Sequence, residues 1–281
     1  MLVSLNDVLN KAKKEKYAVG LFNTVNLEMA KGVIAAAEQT KSPVIIGTAE
    51  VLLTYASLEE LAYFIIPMAK KATVPVVVNF DHGLTSEKVN LAMNLGFSSI
   101  MYDCSTMSYE DNCNEVARMA KIAHSRGISV EAELGHIGAN EDGSAEGDAE
   151  ENIYTSPEEA IDFMKRTNAD ALAIAIGTAH GAYKFKPKLD FDRLSKISSL
   201  IDTPLVLHGG SGLSEEDFKK AIRNGISKVN IFTDINIASA TAAFNNYSKG
   251  KGMTDLMPHI VEAIKEAAME KMRIFGSVNK G

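Results

Sequence analysis

Pro204-Leu-Val-Leu-His-Gly-Gly-Ser-Gly212, followed at once by Leu213-Ser-Glu-Glu-Asp217, holds the pattern that decides the fold. A short, unbroken apolar run reads as a strand buried on both faces, the condition of strands in a parallel sheet. The glycines allow a tight turn. Ser214 then supplies an oxygen for the free N–H groups of a first helical turn, and the acids after it suit the positive end of the helix dipole. Strand, turn and capped helix make one β/α unit.

The unit recurs along the chain. Apolar runs fall at Tyr17–Asn23, Pro43–Thr48, Pro75–His82, Ser99–Cys104, Ser129–Gly135, Ala171–Thr178, Pro204–Gly210 and Lys228–Thr233. Helix-period segments separate them, among them Leu27–Gln39, Leu58–Lys71, Ser86–Leu95 and Tyr109–Ser125, with a further capped start at Ser156-Pro-Glu-Glu159. Eight such units predict one (β/α)8 barrel, an α/β fold of the TIM type, spanning 1–281 as a single catalytic domain. A doubly wound sheet is the runner-up, but nothing in the order of units marks a crossover. Met1–Lys14 reads as an amphipathic helix ahead of the first strand, without the basic start and apolar core of a signal peptide. The one long polar connection, 135–155, follows the fifth run and carries Gly138 and Gly143. A connection of that length in a compact domain suggests an active-site lid.

Composition narrows the function classes. The 281 residues are 46% hydrophobic and 23% charged, as in a soluble globular protein, and the net charge is −7 without a basic block. Nucleic acid is therefore an unexpected partner, and an anionic substrate must be held by local donors. No apolar run approaches the roughly 20 residues that span a bilayer. Two cysteines, Cys104 and Cys113, make no disulfide framework, so the expected setting is the reducing cytoplasm.

His82, His180 and His208 end the third, sixth and seventh apolar runs, each followed by glycine. In a barrel all strand ends meet at one face, so the three imidazoles converge there despite their separation in sequence. Three histidines with an open fourth position are the ligand set of a catalytic zinc. His124 and His259 fall in helices and read as surface residues, while His136 in the long connection is a local competitor. Asp81 precedes His82, placed to move a proton at a substrate hydroxyl. Asp103 closes the fourth run. Glu131 and Glu133 share one face of the fifth, where a carboxylate is costly unless it meets a cation or hydrogen-bond donors. Asp103 and Glu133 therefore suit a second cation or support of the first. Gly177–Gly181, His208–Gly212 and Asn230–Asp234 suit a phosphate. Their glycines let backbone N–H groups approach its oxygens, Ser211 and Thr233 add hydroxyls, and Lys184 adds charge.

These residues stand in longer motifs: Asp81-His-Gly83, Val130-Glu-Ala-Glu-Leu-Gly-His-Ile-Gly-Ala-Asn-Glu141 and Gly181-Ala-Tyr-Lys-Phe-Lys-Pro-Lys-Leu-Asp190. With them the chain resembles the class II, zinc-dependent ketose-bisphosphate aldolases, the fructose- and tagatose-bisphosphate aldolases among them. The likeness runs from Gly20-Leu-Phe-Asn23 to Arg273-Ile-Phe-Gly-Ser277. It implies reversible cleavage of a ketose 1,6-bisphosphate, or a related ketose 1-phosphate, into dihydroxyacetone phosphate and an aldehyde through a zinc-stabilised enediolate. It implies that His82, His180 and His208 hold zinc and that Asp81 is the acid/base at the C4 hydroxyl. Asp103 and Glu133 match accessory cation positions, a monovalent cation near the phosphate is implied as well, and Glu141 matches a lid glutamate that handles the proton on the dihydroxyacetone phosphate carbon. Asn23, Gly181, Lys184, Gly209, Gly210, Ser211, Asn230 and Thr233 match substrate contacts. A homodimer or homotetramer is implied as well.

The chain departs from the family pattern in places. Asn79 stands where a histidine is usual, Asn236 lies where many members carry an arginine, and Gly47-Thr-Ala-Glu50 is less rich in serine and glycine. The last two departures fall on the aldehyde half, so the donor half looks intact and the acceptor half altered. Two other readings stay open at this point: a metal-dependent hydrolase or isomerase of a phosphorylated sugar, and a non-catalytic sugar-phosphate binder.

Overall fold

The computed structural model describes residues 1–135, 154–179 and 187–281. Eight parallel strands close into a barrel in chain order: β1 (Val19–Asn23), β2 (Val44–Ala49), β3 (Val76–Gly83), β4 (Ser99–Tyr102), β5 (Ser129–Leu134), β6 (Ala171–Ile174), β7 (Leu205–Leu207) and β8 (Ile226–Ile231), with β8 paired back to β1. The expected (β/α)8 barrel is the fold. Around it among the described residues lie α2 (Leu27–Thr40), α3 (Leu58–Lys71), α4 (Ser86–Leu95), α5 (Tyr109–His124), α6 (Pro157–Thr167), α7 (Phe191–Leu200), α8 (Glu215–Arg223), α9 (Thr233–Asn246) and α10 (Met253–Ile274). α1 (Leu5–Glu15) precedes the first strand.

Side chains sort by alternation along the strands. Val76, Val78 and Phe80 face outward into the layer of helices, and so do Ile46, Val130 and Ala132. Leu21, Ile45, Val77, Ala171, Ala173 and Val206 point into the barrel and meet Leu5, Val8, Leu9 and Ala12 of α1, which closes its N-terminal end. The opposite end is thereby left for chemistry. The helix starts follow the sequence. Ser156 caps α6 and Ser214 caps α8 through their hydroxyls, and Ser57 completes a reciprocal capping box with Glu60 at α3.

Three strands differ most from their apolar runs. β6 stops at Ile174 because Ala175 pairs with the loop residue Thr155, accepting its N–H at 3.1 Å and donating to its Oγ1 at 2.8 Å. β7 stops at Leu207, just before Gly209 takes a φ of 64°. β8 is displaced toward the N-terminus by its register with β1, from Val19 opposite Lys228 to Phe22 opposite Ile231, and Thr233 opens α9 instead of ending a strand. His124 is also not the free surface residue the sequence suggested. Its Nε2 lies 2.8 Å from Asp170 Oδ2, which accepts the Val130 N–H at 2.7 Å. His259 is exposed, as expected.

Candidate active site

Asp81 and His82 are consecutive on a strand, so simple alternation would send them to opposite faces. His82 escapes it with a φ of 41°, in the left-handed region that costs a non-glycine residue on the order of 1 kcal/mol. That turn brings both side chains into the barrel mouth. The Asp81 carboxylate is 1% exposed and is held by two amides. Asn23 Nδ2 donates to Oδ2 at 2.8 Å, and Asn230 Nδ2 donates to Oδ1 and Oδ2 at 2.9 and 3.0 Å. Burial alone would raise its pKa, but the positive charges of His82, Lys228 and His208 hold the carboxyl below its ordinary value.

Of the three histidines expected at the mouth, the two described, His82 and His208, converge. His82 Nε2 and His208 Nδ1 are 2.7 Å apart, and the rings meet edge to face. The other nitrogen of each faces a carboxylate. His82 Nδ1 is 2.8 Å from Asp103 Oδ2, and His208 Nε2 is 2.9 Å from Glu131 Oε1. When the imidazoles are neutral, as metal binding requires, carboxylates at those positions favour the tautomers whose facing nitrogens carry lone pairs, the arrangement metal-binding histidines use. Glu133 Oε2 lies 3.6 Å from His208 Nδ1. Asp81, His82 and His208 offer ligand atoms within 4.8 Å of one another, as do His82, Asp103 and Glu133. This donor set suits a divalent cation such as zinc. Burial would lower the His82 pKa, but the Asp81 charge, the hydrogen bond His82 donates to Asp103 and the Glu133 charge raise it to about 9. The Asp103 carboxyl is in turn held far below its ordinary value against burial, chiefly by His82.

A charged group that sequence reasoning missed lies beneath these residues. Lys228 on β8 is fully buried, with Nζ 2.9 and 2.7 Å from the two oxygens of Glu131 and 2.8 Å from Asn230 Oδ1. A lysine can only donate, so Asn230 must turn its oxygen toward Lys228 and its NH2 toward Asp81. Glu131, left in the sequence as either interior or outward, is therefore interior, between His208 and Lys228. A lysine inside a strand buried on both faces was the available signal, because it requires a carboxylate within reach.

The glycine turns lie at the neighbouring strand ends. At Gly209 a Cβ would stand 2.3 Å from Ala179 O, and at Gly210 it would stand 2.7 Å from Val229 Cγ1, so no side chain fits at either. Ser211 Oγ accepts the Phe232 N–H at 3.3 Å. α9 opens beside it with no side-chain cap at Phe232, so Thr233 stands on a helix N-terminus whose N–H groups can serve an anion. His180, Gly181, Lys184, Glu141 and His136 lie outside the described residues, as does most of the 135–155 segment.

The chain is similar over nearly its whole length to known proteins. The family model described as fructose-bisphosphate aldolase class-II matches residues 3–280. A fructose-bisphosphate aldolase of Thermus caldophilus is 40% identical over 306 aligned positions, covering 100% of each chain. One from Geobacillus stearothermophilus is 41% identical, covering 99% of this chain and 98% of its own. The crystal structure of the YdjI aldolase from Escherichia coli K12 superposes with a TM-score of 0.89 at 37% identity, covering 100% of this chain and 99% of that one.

Proposed function

The chain belongs to the class II fructose-bisphosphate aldolase family, a family of carbon–carbon lyases, and on that premise we propose that Asp81, His82 and His208 form the centre of a metal-dependent aldolase site. The substrate is a phosphorylated ketose, either a 1,6-bisphosphate of the fructose or tagatose type or a related 1-phosphate. It is cleaved reversibly to dihydroxyacetone phosphate and an aldehyde. The observation that carries the reading is the meeting of His82 Nε2 and His208 Nδ1 beside a buried Asp81.

His82, His208 and, by resemblance, His180 would hold zinc, with Asp103 and Glu133 at accessory cation positions. A bound zinc supplies Lewis-acid polarisation of the ketone and stabilises the charge that develops on its oxygens. The remaining work belongs to the chain. Asp81, kept ionised by its surroundings, takes the proton of the C4 hydroxyl. The C4–O electrons then form the aldehyde carbonyl, and the C3–C4 pair passes to the donor half. Asn23 and Asn230 fix the direction of the Asp81 oxygens, and Lys228 fixes Asn230. Gly209, Gly210, Ser211 and Thr233, with Gly181 and Lys184 by resemblance, hold the donor phosphate and so align the bond with Asp81. By resemblance, Glu141 returns the proton to the donor carbon.

A hydrolase or isomerase could also use Asp81 but leaves the donor-phosphate grip and, by resemblance, Glu141 less well explained, while a non-catalytic binder would be favoured by loss of Asp81 or a ligand histidine, and none is lost. We read the chain as one catalytic domain and as a cytoplasmic enzyme, consistent with two buried free cysteines and with no described helix long and apolar enough to cross a membrane. A homodimer or homotetramer follows from the resemblance. α9 is the surface a second copy would cover, because Ile237, Phe244 and Tyr247 are exposed along it.

The test is release of dihydroxyacetone phosphate from a panel of ketose 1-phosphates and 1,6-bisphosphates, with zinc and with a chelator. Chelator-sensitive release is expected. No release from any sugar, by protein shown to hold zinc, sinks the aldolase reading.

A further inference from the structure

Cleavage at the C3–C4 bond divides the substrate into two halves with different surroundings. The donor phosphate belongs to the ends of β7 and β8, and the bond itself lies at Asp81 on β3. The carbons beyond C4 therefore leave the mouth toward the segments that follow β1 to β4, residues 24–26, 50–57, 84–85 and 103–108, all of them described. None contains a lysine or arginine. Their charged residues are two acids, both already engaged. Glu50 accepts hydrogen bonds from Leu84 N at 2.7 Å, Thr85 N at 3.0 Å and Thr85 Oγ1 at 2.8 Å. Asp103 holds His82 and accepts the Ser105 N–H at 3.0 Å.

The same four segments, with the first residue of α2, expose large apolar side chains: Leu27 (36%), Val51 (66%), Tyr55 (71%), Leu84 (47%) and Met107 (44%). At the β8 side of this rim, Lys271 is paired with Asp234 at 2.7 Å and lies over the Phe218 ring. Asn236, one turn into α9, is exposed and uncharged. One polar handle on the acceptor side is Asn23. With its NH2 on Asp81, its Oδ1 is buried and has no hydrogen-bond partner among the described residues, so it can accept a substrate hydroxyl.

A doubly charged phosphate drawn against two carboxylates and an apolar rim would lose water without gaining a cation. We infer that the acceptor half takes an uncharged aldehyde, so that the substrate is a ketose 1-phosphate rather than a 1,6-bisphosphate. This rests on the aldolase reading above and narrows it. Asn23 Oδ1 takes a hydroxyl next to the aldehyde carbon, and the apolar rim covers the carbons beyond.

The experiment runs the reaction toward condensation. Zinc-loaded protein and dihydroxyacetone phosphate are supplied with matched acceptors that differ only in a phosphate: each enantiomer of glyceraldehyde against its 3-phosphate, and glycolaldehyde against its phosphate. The unphosphorylated member of each pair is expected to have the higher kcat/KM, by on the order of ten-fold or more. Val51→Arg places a guanidinium within the segments assigned to the acceptor half. It should raise kcat/KM for the phosphorylated members by about ten-fold and leave the others unchanged. Preference of the wild-type protein for the phosphorylated members overturns this inference while upholding the aldolase. An unchanged preference in Val51→Arg overturns the assigned position of the acceptor half. No condensation with any aldehyde overturns the aldolase reading itself, and this inference with it.

Discussion

At the scale of single residues, Asp81 and His82 are neighbours with opposite electrostatic tasks. Asp81 must stay ionised in a buried position, and the cations around it achieve that. Asp81→Asn keeps the shape and the two amide neighbours but removes the base, so turnover should fall by about 10²–10⁴-fold with zinc content unchanged. Elemental analysis beside the rate measurement checks this, and full activity in the variant would remove Asp81 from the chemistry. In metal-free protein His82 has a pKa of about 9, raised above its ordinary 6.5 by Asp81, Asp103 and Glu133 against burial. A raised folded-state pKa contributes stability that is fully present below about 6.5 and is lost as pH climbs through about 9. The Tm of metal-stripped protein, from this group, should therefore decline across that window. Zinc needs the neutral imidazole, so its stabilising increment should grow over the same range. A metal-free Tm that rises through the window would contradict the charge assignment at His82. Most of this cluster was legible in the sequence, because histidine before glycine at a strand end is a rare signature. The place of Lys228 was not: a lysine in a buried strand signals a carboxylate within reach, but the register between β1 and β8 determines which residue lies beneath the site, and no local pattern reports that register.

Among the elements, the strands and helix starts were legible because they rest on local rules, namely unbroken apolar runs and serine caps. Strand ends were less so. β6 ends where Thr155, twenty residues earlier in the chain, takes over its backbone bonds. Glu50 is a similar long-range device. In the sequence it is a departure from the family pattern, and in the fold it fastens the short 3-10 turn Glu50–Leu52 to the start of the segment after β3, directly beyond His82 and Gly83. Glu50→Ala leaves the Leu84 and Thr85 N–H groups to water and should cost about 1–3 kcal/mol in urea unfolding. It should also weaken zinc retention, because the backbone that sets the unusual φ of His82 loses its anchor. Glu50→Gln, which still accepts hydrogen bonds through one oxygen, should lie between the two. A variant as stable as the parent would make the three bonds ornamental.

For the whole molecule, the barrel is closed at one end by packing and opened at the other for chemistry, and the two can be separated by mutation. α1 stands outside the repeating β/α units, yet Leu5 and Leu9 are fully buried against the inward residues of β1, β2, β3, β6 and β7. The chain start adds backbone ties, with the Met1 ammonium donating to Val74 O at 2.8 Å and Leu2 bridging to Val76. Inward positions near the N-terminal face are apolar, whereas those near the mouth are Asn23, Asp81, Glu133, His208 and Asn230. Polarity thus increases along the barrel axis, and α1 supplies the apolar cover that the lower end requires. Leu9→Ala should leave a cavity there and cost about 2–5 kcal/mol. It should leave kcat/KM per folded molecule and zinc affinity unchanged, since the site sits on the opposite ends of the same strands. Equilibrium unfolding with kinetics below the transition checks both halves of the expectation. Loss of kcat/KM in fully folded Leu9→Ala protein would mean that the floor of the barrel positions the catalytic groups, with Val77 and Asp81 on one strand as the most direct route between them.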